Sequence, residues 1–227
     1  FDDLSTGSEK NIPKGVAFIQ GSTLSKQDLS NLIEDQKYDA VIHLAASKAA
    51  GESMENPYKY AENNIFGGIN LINTCVNHGI KNFIFSSTAA VYGNPRYLPI
   101  DENHISDPGN FYGYTKLVIE NNLRWFSKLK NLKFISLRYF NAAGYDLNRK
   151  AISIEKNPQN LIPIVMETAC SLREKVFVYG NDYSTKDGTG IRDYIHVSDL
   201  ASAHLKAIHY LKDNNKNLIL NLGTGEG

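Results

Sequence analysis

Two periodicities alternate along the chain. Short apolar runs at residues 16–19, 41–45, 82–87, 134–139, 176–179, 194–197 and 218–222 have the length and composition of buried strands. Between them, apolar residues recur every three or four positions, the spacing of a helix with one buried face. Leu29, Leu32 and Ile33 mark such a face in a helix over 25–36. Ile65, Ile69, Ile72 and Val76 mark another, with Pro57 in its first turn and Gly79 at its end. Ile119, Leu123 and Phe126 belong to a helix opening near Tyr112, and a further helix covers 161–172. Leu200, Ala203, Ala207 and Leu211 face inward from a last helix capped by Ser198 or Asp199. Strands alternating with helices predict an α/β fold, a doubly wound parallel sheet covered on both faces. The polar stretch 145–160 breaks the pattern and is the candidate boundary between a region 1–144 and a region 145–227.

Composition narrows the classes. The chain has 227 residues, 42% hydrophobic and 21% charged, which describes a globular protein able to bury a core. Lys plus Arg and Asp plus Glu both number 24, so no basic excess points to nucleic acid. No apolar run reaches membrane-spanning length and no signal peptide is visible, and the expectation is a cytoplasmic protein with neither nucleic-acid nor membrane partners. Cys75 and Cys170 are too few for a disulfide framework, and Cys75 adjoins an apolar helix stripe where packing is the expected role. No Cys or His spacing suggests a metal site. The chain opens on Phe1-Asp2-Asp3-Leu4, which reads as the end of a strand, and lacks an initiator Met; an internal piece of a longer protein is expected.

The candidate chemistry centres on Tyr112 and Lys116. Residues four apart share a helix face, so the phenol and the ammonium are expected side by side. A nearby cation favours the phenolate, which would bring a group that titrates near pH ~10 toward neutrality and let it exchange protons with a substrate hydroxyl. Upstream, the run Phe83-Ile84-Phe85-Ser86-Ser87-Thr88 is an apolar strand ending in hydroxyls. Ligands bind at the carboxyl ends of parallel strands, which places Thr88 to hydrogen-bond the same substrate oxygen as Tyr112. His196 is expected to be structural.

With the hydroxyl-bearing strand and the Tyr-x-x-x-Lys both present, the chain resembles the extended short-chain dehydrogenase/reductase family. The likeness is carried further by Asp2-Asp3-Leu4, by Lys48-Ala49-Ala50-Gly51-Glu52-Ser53, by Thr88 to Gly93, by Arg138-Tyr139-Phe140-Asn141 and by the run from Asp187 to Val197. It implies a Rossmann-like domain over 1–144, incomplete, followed by part of a smaller substrate-binding region over 145–227 that interleaves with it. The resemblance assigns Tyr112, Lys116 and Thr88 to catalysis. It assigns Asp2, or Asp3 in competition with it, to the adenosine ribose of NAD, Lys48 to the pyrophosphate, and Asn64, Lys116 and Tyr139 to the neighbourhood of the cofactor. A UDP-sugar is the implied substrate, contacted by Thr88, Tyr112, Asn141, Asn160, Leu161, Phe177, Tyr179 and Arg192. Ser22 departs from the family, which commonly has Asp there against the adenine.

The implied reaction is the interconversion of UDP-glucose and UDP-galactose by transient oxidation at C4. The alternatives are a nucleotide-sugar 4,6-dehydratase and a non-catalytic piece of the fold. Dehydratases of the superfamily typically carry Asp and Glu directly after the Thr, where this chain has Ala89 and Ala90. A homodimer of the full-length protein through the helices near Pro57 and Tyr112 is implied. The Gly-rich turn that seats the pyrophosphate is not among these residues, so this piece alone is expected neither to hold NAD nor to be active.

Overall fold

The structure is a computed structural model describing residues 1–34, 37–148 and 158–227. Four strands, β1 (Val41–His43), β2 (Asn82–Thr88), β3 (Lys133–Tyr139) and β6 (Leu218–Leu222), form one sheet in the order β1-β2-β3-β6. Every pair in it is parallel, with Phe83 opposite Phe134 and Thr88 opposite Tyr139 across β2 and β3. A second sheet pairs β4 (Asn141–Ala143) with β5 (Tyr194–His196), also in parallel.

Side chains alternate across a strand, and in β2 that alternation divides the core. Phe83 and Phe85 point into a cluster with Leu29, Ile72, Ile119 and Leu123, which come from α1 (Lys26–Ile33), α4 (Gly67–Asn77) and α5 (Phe111–Lys130). Ile84 points the other way, with Ile135 and Leu137, onto Ala207 and Leu211 of α7 (Val197–Asn214). Helices therefore cover both faces, and the expected doubly wound parallel sheet is present. Cys75 is fully buried in the first cluster, a packing residue whose thiol burial pushes up to about 12. Among the described residues no helix is long and apolar enough to cross a membrane.

The segment between β1 and β2 is more broken than a single helical stripe predicts. It consists of α2 (Ala50–Glu55), α3 (Pro57–Tyr60), a π-helical turn over Ala61–Phe66, and α4. Pro57 does occupy the first turn, and Gly79, at φ +74, follows α4 in a left-handed conformation that costs glycine little. The extra residue of the π turn reorients Asn64 inward, where it is 3% exposed.

Four expectations need correction. Residues 16–19 form no strand; only Gln20 bridges to Asp2, and Val16 is 57% exposed, so the run lacks a ladder to join. Residues 176–179 are likewise not a strand: among the described residues no neighbouring strand supplies ladder partners, and Phe177, Val178 and Tyr179 are exposed. The last helix is capped not by Ser198 or Asp199 but by His196, whose Nδ1 accepts the Ser198 N–H at 3.1 Å. The helix near 161 is α6 (Leu161–Ala169), ending where the Cys170 amide bonds back to Met166 O. The end of the helix expected over 25–36 and the middle of the polar stretch 145–160 lie outside the described residues.

One buried ion pair fastens α5 to the sheet. Glu120, completely buried, accepts from Arg138 Nε at 3.0 Å and Nη2 at 2.6 Å, while Ser87 donates to Glu120 Oε1 at 2.6 Å. Arg138 Nη1 donates to Tyr92 Oη at 2.8 Å, and Tyr92 passes its own proton to Asn221 Oδ1 on β6 at 2.7 Å. Removing one partner of such a pair strands the other charge. Glu120→Gln should therefore lower unfolding stability in urea by about 3 kcal/mol. Replacing both, Glu120→Met with Arg138→Met, should cost less than the single change, followed by circular dichroism.

Candidate active site

The site grows out of the amino end of α5. Its first turn is held from two sides: Asn110 Oδ1 accepts the Gly113 N–H at 2.8 Å, and Ser53 Oγ on α2 accepts the Tyr112 N–H at 3.0 Å. These bonds satisfy two of the orphan donors at the helix start. The Lys48 to Ser53 motif thus has a role that the sequence reading did not assign to it, since Ser53 sets the height of Tyr112. Gly113 permits the close approach. A Cβ there would lie 2.5 Å from Ala90 O, in the short 3-10 turn Ala89–Tyr92 that follows Thr88.

This packing brings Thr88, Tyr112, Lys116 and Tyr139 together at the carboxyl ends of β2 and β3. Thr88 Oγ1 accepts the Ala90 N–H at 3.2 Å, and the Thr88 hydroxyl lies beside the Tyr112 phenol, where it favours the phenolate. Lys116 is 3% exposed, and its Nζ donates to Ser86 O at 2.8 Å and sits 5.0 Å from the centre of the Phe85 ring. Tyr139 Oη meets His204 Nε2 at 2.6 Å, with the Ser86 hydroxyl nearby.

Electrostatically the result departs from the simple phenol-beside-ammonium picture. Burial pushes the Tyr112 phenol up, and the neighbouring Thr88 hydroxyl only partly opposes it. Lys116 is itself pushed down by burial, to about 7, so its positive charge is weakened near neutrality. Glu120, one turn further along the helix, pairs through both its oxygens with Arg138, and no ion pair between it and Lys116 is found among the described residues. An ammonium with three N–H groups and, among the described residues, the single acceptor Ser86 O has donors to spare for ligand hydroxyls. That fits the ribose of a dinucleotide such as NAD.

Other candidates lie around this centre without joining it. Asn64 spends both amide hydrogens inside the protein, on Ser47 O at 2.9 Å and Thr115 Oγ1 at 3.0 Å, and accepts the Ser47 N–H at 2.8 Å. It ties the loop bearing the exposed Lys48 to α5. Asp2 Oδ1 accepts the Leu4 N–H at 2.7 Å, and Asp3 Oδ1 accepts from the Ser5 N–H and hydroxyl. Ser22 Oγ accepts the Leu24 N–H at 3.2 Å. Asn141, two residues beyond Tyr139, donates to Asp193 O at 2.9 Å. Asn160 precedes α6 without a side-chain capping bond, and Leu161 is exposed. Phe177 and Tyr179 lie with ring centres 6.3 Å apart, and Arg192 donates to Ile191 O at 2.7 Å. Residues the sequence reading passed over include His43, buried near Lys116, and His204. Asp193 is another, whose carboxylate accepts from the Thr224 and Gly225 amides, both at 2.8 Å. Among the described residues no group of three His, Cys, Asp or Glu side chains could hold a metal ion.

A doubly wound parallel sheet with a Thr and a Tyr-Lys pair at its carboxyl edge defines a dinucleotide-dependent enzyme of the short-chain type. Residues 1–223 match the family described as the NAD dependent epimerase/dehydratase family, and the chain belongs to it. It is 40% identical over 227 residues to a UDP-glucose 4-epimerase of Lacticaseibacillus casei, covering 100% of this chain and 68% of that one. It is 42% identical over 212 residues to one of Halalkalibacterium halodurans, covering 93% and 64%. Its fold matches the crystal structure of a UDP-glucose 4-epimerase from Brucella ovis in complex with NAD at a TM-score of 0.96, with 43% identity, covering 100% of this chain and 69% of that one. The chain thus spans about two thirds of the length of these relatives.

Two outcomes check the geometry. Gly113→Ala should destabilise by about 1–3 kcal/mol through overpacking against Ala90, despite the better helix propensity of alanine, and should shift the titration of the Tyr112 phenol. Urea unfolding and NMR of ring-labelled tyrosine would read both. His43, 4% exposed, is pushed down to about 3 by burial and then by the charge of Lys116, against 6.5 when unfolded. Between those values the unfolded chain takes up a proton that the folded chain refuses. Stability should fall as pH drops from 6.5 toward 3, by at most about 1.4 kcal/mol per unit for this one group. His43→Leu should flatten that slope in urea titrations at pH 4 to 6.5.

Proposed function

We propose that the full-length protein is a cytoplasmic, homodimeric epimerase that interconverts UDP-glucose and UDP-galactose through transient oxidation at C4. The observation that carries this reading is the grouping of Thr88, Tyr112 and the buried Lys116 at the carboxyl ends of β2 and β3. The names of the relatives supply the sugar nucleotides.

NAD, when bound, supplies the hydride acceptor and donor. Lys116 holds its ribose, with Asp2 or Asp3 on the adenosine side, Lys48 toward the pyrophosphate and Tyr139 near the nicotinamide. Asn64 contributes by fixing the loop of Ser47 and Lys48. Tyr112 takes the proton from the sugar 4-hydroxyl and later returns it, and Thr88 bonds the same oxygen. Burial favours the protonated phenol at Tyr112, and the positive charges of Lys116 and of an oxidised nicotinamide beside it would favour the phenolate that accepts the proton. Asn141, Asn160, Leu161, Phe177, Tyr179 and Arg192 hold the UDP-sugar, with the guanidinium suited to the diphosphate.

Dehydration is the rival outcome, and the residues around Thr88 speak against it. Elimination needs an acid and a base of its own, and Ala89 and Ala90 offer methyl groups. The nearest carboxylates in sequence are engaged elsewhere. Asp101 accepts from Tyr97 Oη at 2.8 Å, and Glu102 accepts the Asn221 N–H at 2.8 Å.

Incubated with UDP-galactose, the full-length enzyme should form UDP-glucose and no 4-keto-6-deoxy sugar, and accumulation of the deoxy product would overturn the reading. Tyr112→Phe keeps the ring and loses the proton carrier. It should cut kcat by about 10²-fold or more while leaving UDP-sugar affinity nearly unchanged.

A further inference from the structure

Two phenols meet at this site, and a histidine from the opposite face of the sheet touches one of them. Tyr139 on β3 and Tyr112 on α5 are near enough that charge on Tyr112 opposes ionisation of Tyr139. His204 reaches Tyr139 from the second turn of α7 and is 8% exposed. Its tautomer follows from its partners. Nδ1 lies 2.7 Å from Leu200 O, a carbonyl that can only accept, so Nδ1 carries a hydrogen. In the neutral ring Nε2 is then an acceptor, and the 2.6 Å contact to Tyr139 Oη is a bond that Tyr139 donates. The one proton of Tyr139 is thereby spent on His204.

We propose that His204 is a positioning residue that holds the Tyr139 proton, so that of the two adjacent phenols Tyr112 alone ionises and serves as the proton carrier. The inference rests on the epimerase reading above. A hydrogen bond donated by the neutral form stabilises that form over the phenolate, and two neighbouring phenolates repel each other. Burial pushes both phenols up, Tyr139 to about 12 with the Tyr112 charge adding to it, so burial alone does not choose between them and the bond to His204 is what sets Tyr139 apart. Of the other groups facing the pair, Lys116 and Thr88 lie at Tyr112. Tyr60, bonded to Glu52, interacts with Tyr112 from α3, and His43 lies beyond Lys116. None of these accepts the Tyr139 proton in the structure.

The test uses the full-length holoenzyme with ring-labelled tyrosine, so that NMR follows each phenol directly and pH profiles of kcat follow turnover. His204→Asn keeps a donor for Leu200 O and is too short to reach Tyr139. It should lower the pH at which Tyr139 ionises and raise that of Tyr112, moving the acid limb of kcat upward by about one unit or more. His204→Leu is the second variant, with the same expectation. His204→Gln, whose amide oxygen replaces the Nε2 acceptor, should stay close to the native profile. In a Tyr139→Phe background His204→Asn should move nothing, because the competing hydroxyl is gone. Unchanged phenol titrations in both His204→Asn and His204→Leu, or an equal shift without the Tyr139 hydroxyl, would overturn the proposal. Normal turnover by Tyr112→Phe would sink the epimerase reading instead, and the NMR titrations would still judge His204.

Discussion

The bidentate bond between Glu120 and Arg138 is the constraint on which the site depends. Tyr112, Lys116 and Glu120 follow one another at intervals of four along α5, so they form one stripe on its buried side. Left to itself, Glu120 would be the natural partner of Lys116. Arg138 takes both carboxylate oxygens instead, at 2.6 and 3.0 Å, and Ser87 adds a third bond. Lys116 is left buried with a carbonyl and two aromatic faces for company. The ion pair thus does two things at once. It fixes the helix to β3, and it withholds the anion that would otherwise occupy the lysine.

An unpaired buried ammonium is costly, and the cost shows in its tendency to give up the proton near neutrality. Desolvation acts on its neighbours in the same direction, favouring every neutral form: Tyr112, Tyr139 and His43 are all held away from their charged states. A positive charge beside Tyr112 and hydroxyls donating to it would shift that balance toward the phenolate, while a negative charge beside Lys116 would restore its ammonium. The fold itself holds these donors in place for the groups they serve.

The region after residue 145 contributes through the sheet more than through a body of its own among the described residues. β6 extends the main sheet beside β3, α7 covers its second face, and β5 pairs with β4 just past Tyr139. Asp193 joins these pieces by accepting from the turn after β6 while its carbonyl accepts from Asn141. Its place in the run from Asp187 to Val197 therefore has a structural basis in the contact between the two sheets.

Local pattern was enough for the elements whose partners are built from their own period. The strands at 82 and 134, the stripe of Ile119 and Leu123, the turn at Gly79 and the four-residue spacing of Tyr112 and Lys116 could be read directly, since apolar periodicity and helix geometry are properties of neighbouring residues. Residues 16–19 and 176–179 misled because an apolar run has strand propensity whether or not a neighbour is present to bond it, and that neighbour is a tertiary matter. The π turn that sends Asn64 inward, the capture of Glu120 by Arg138 from 18 positions away, and the bond from Tyr139 to His204 across 65 positions were not legible at all. For the same reason the sign of the shift at Tyr112 was wrong: the sequence shows that an ammonium is adjacent, but only the packed structure decides how much water is left around both groups.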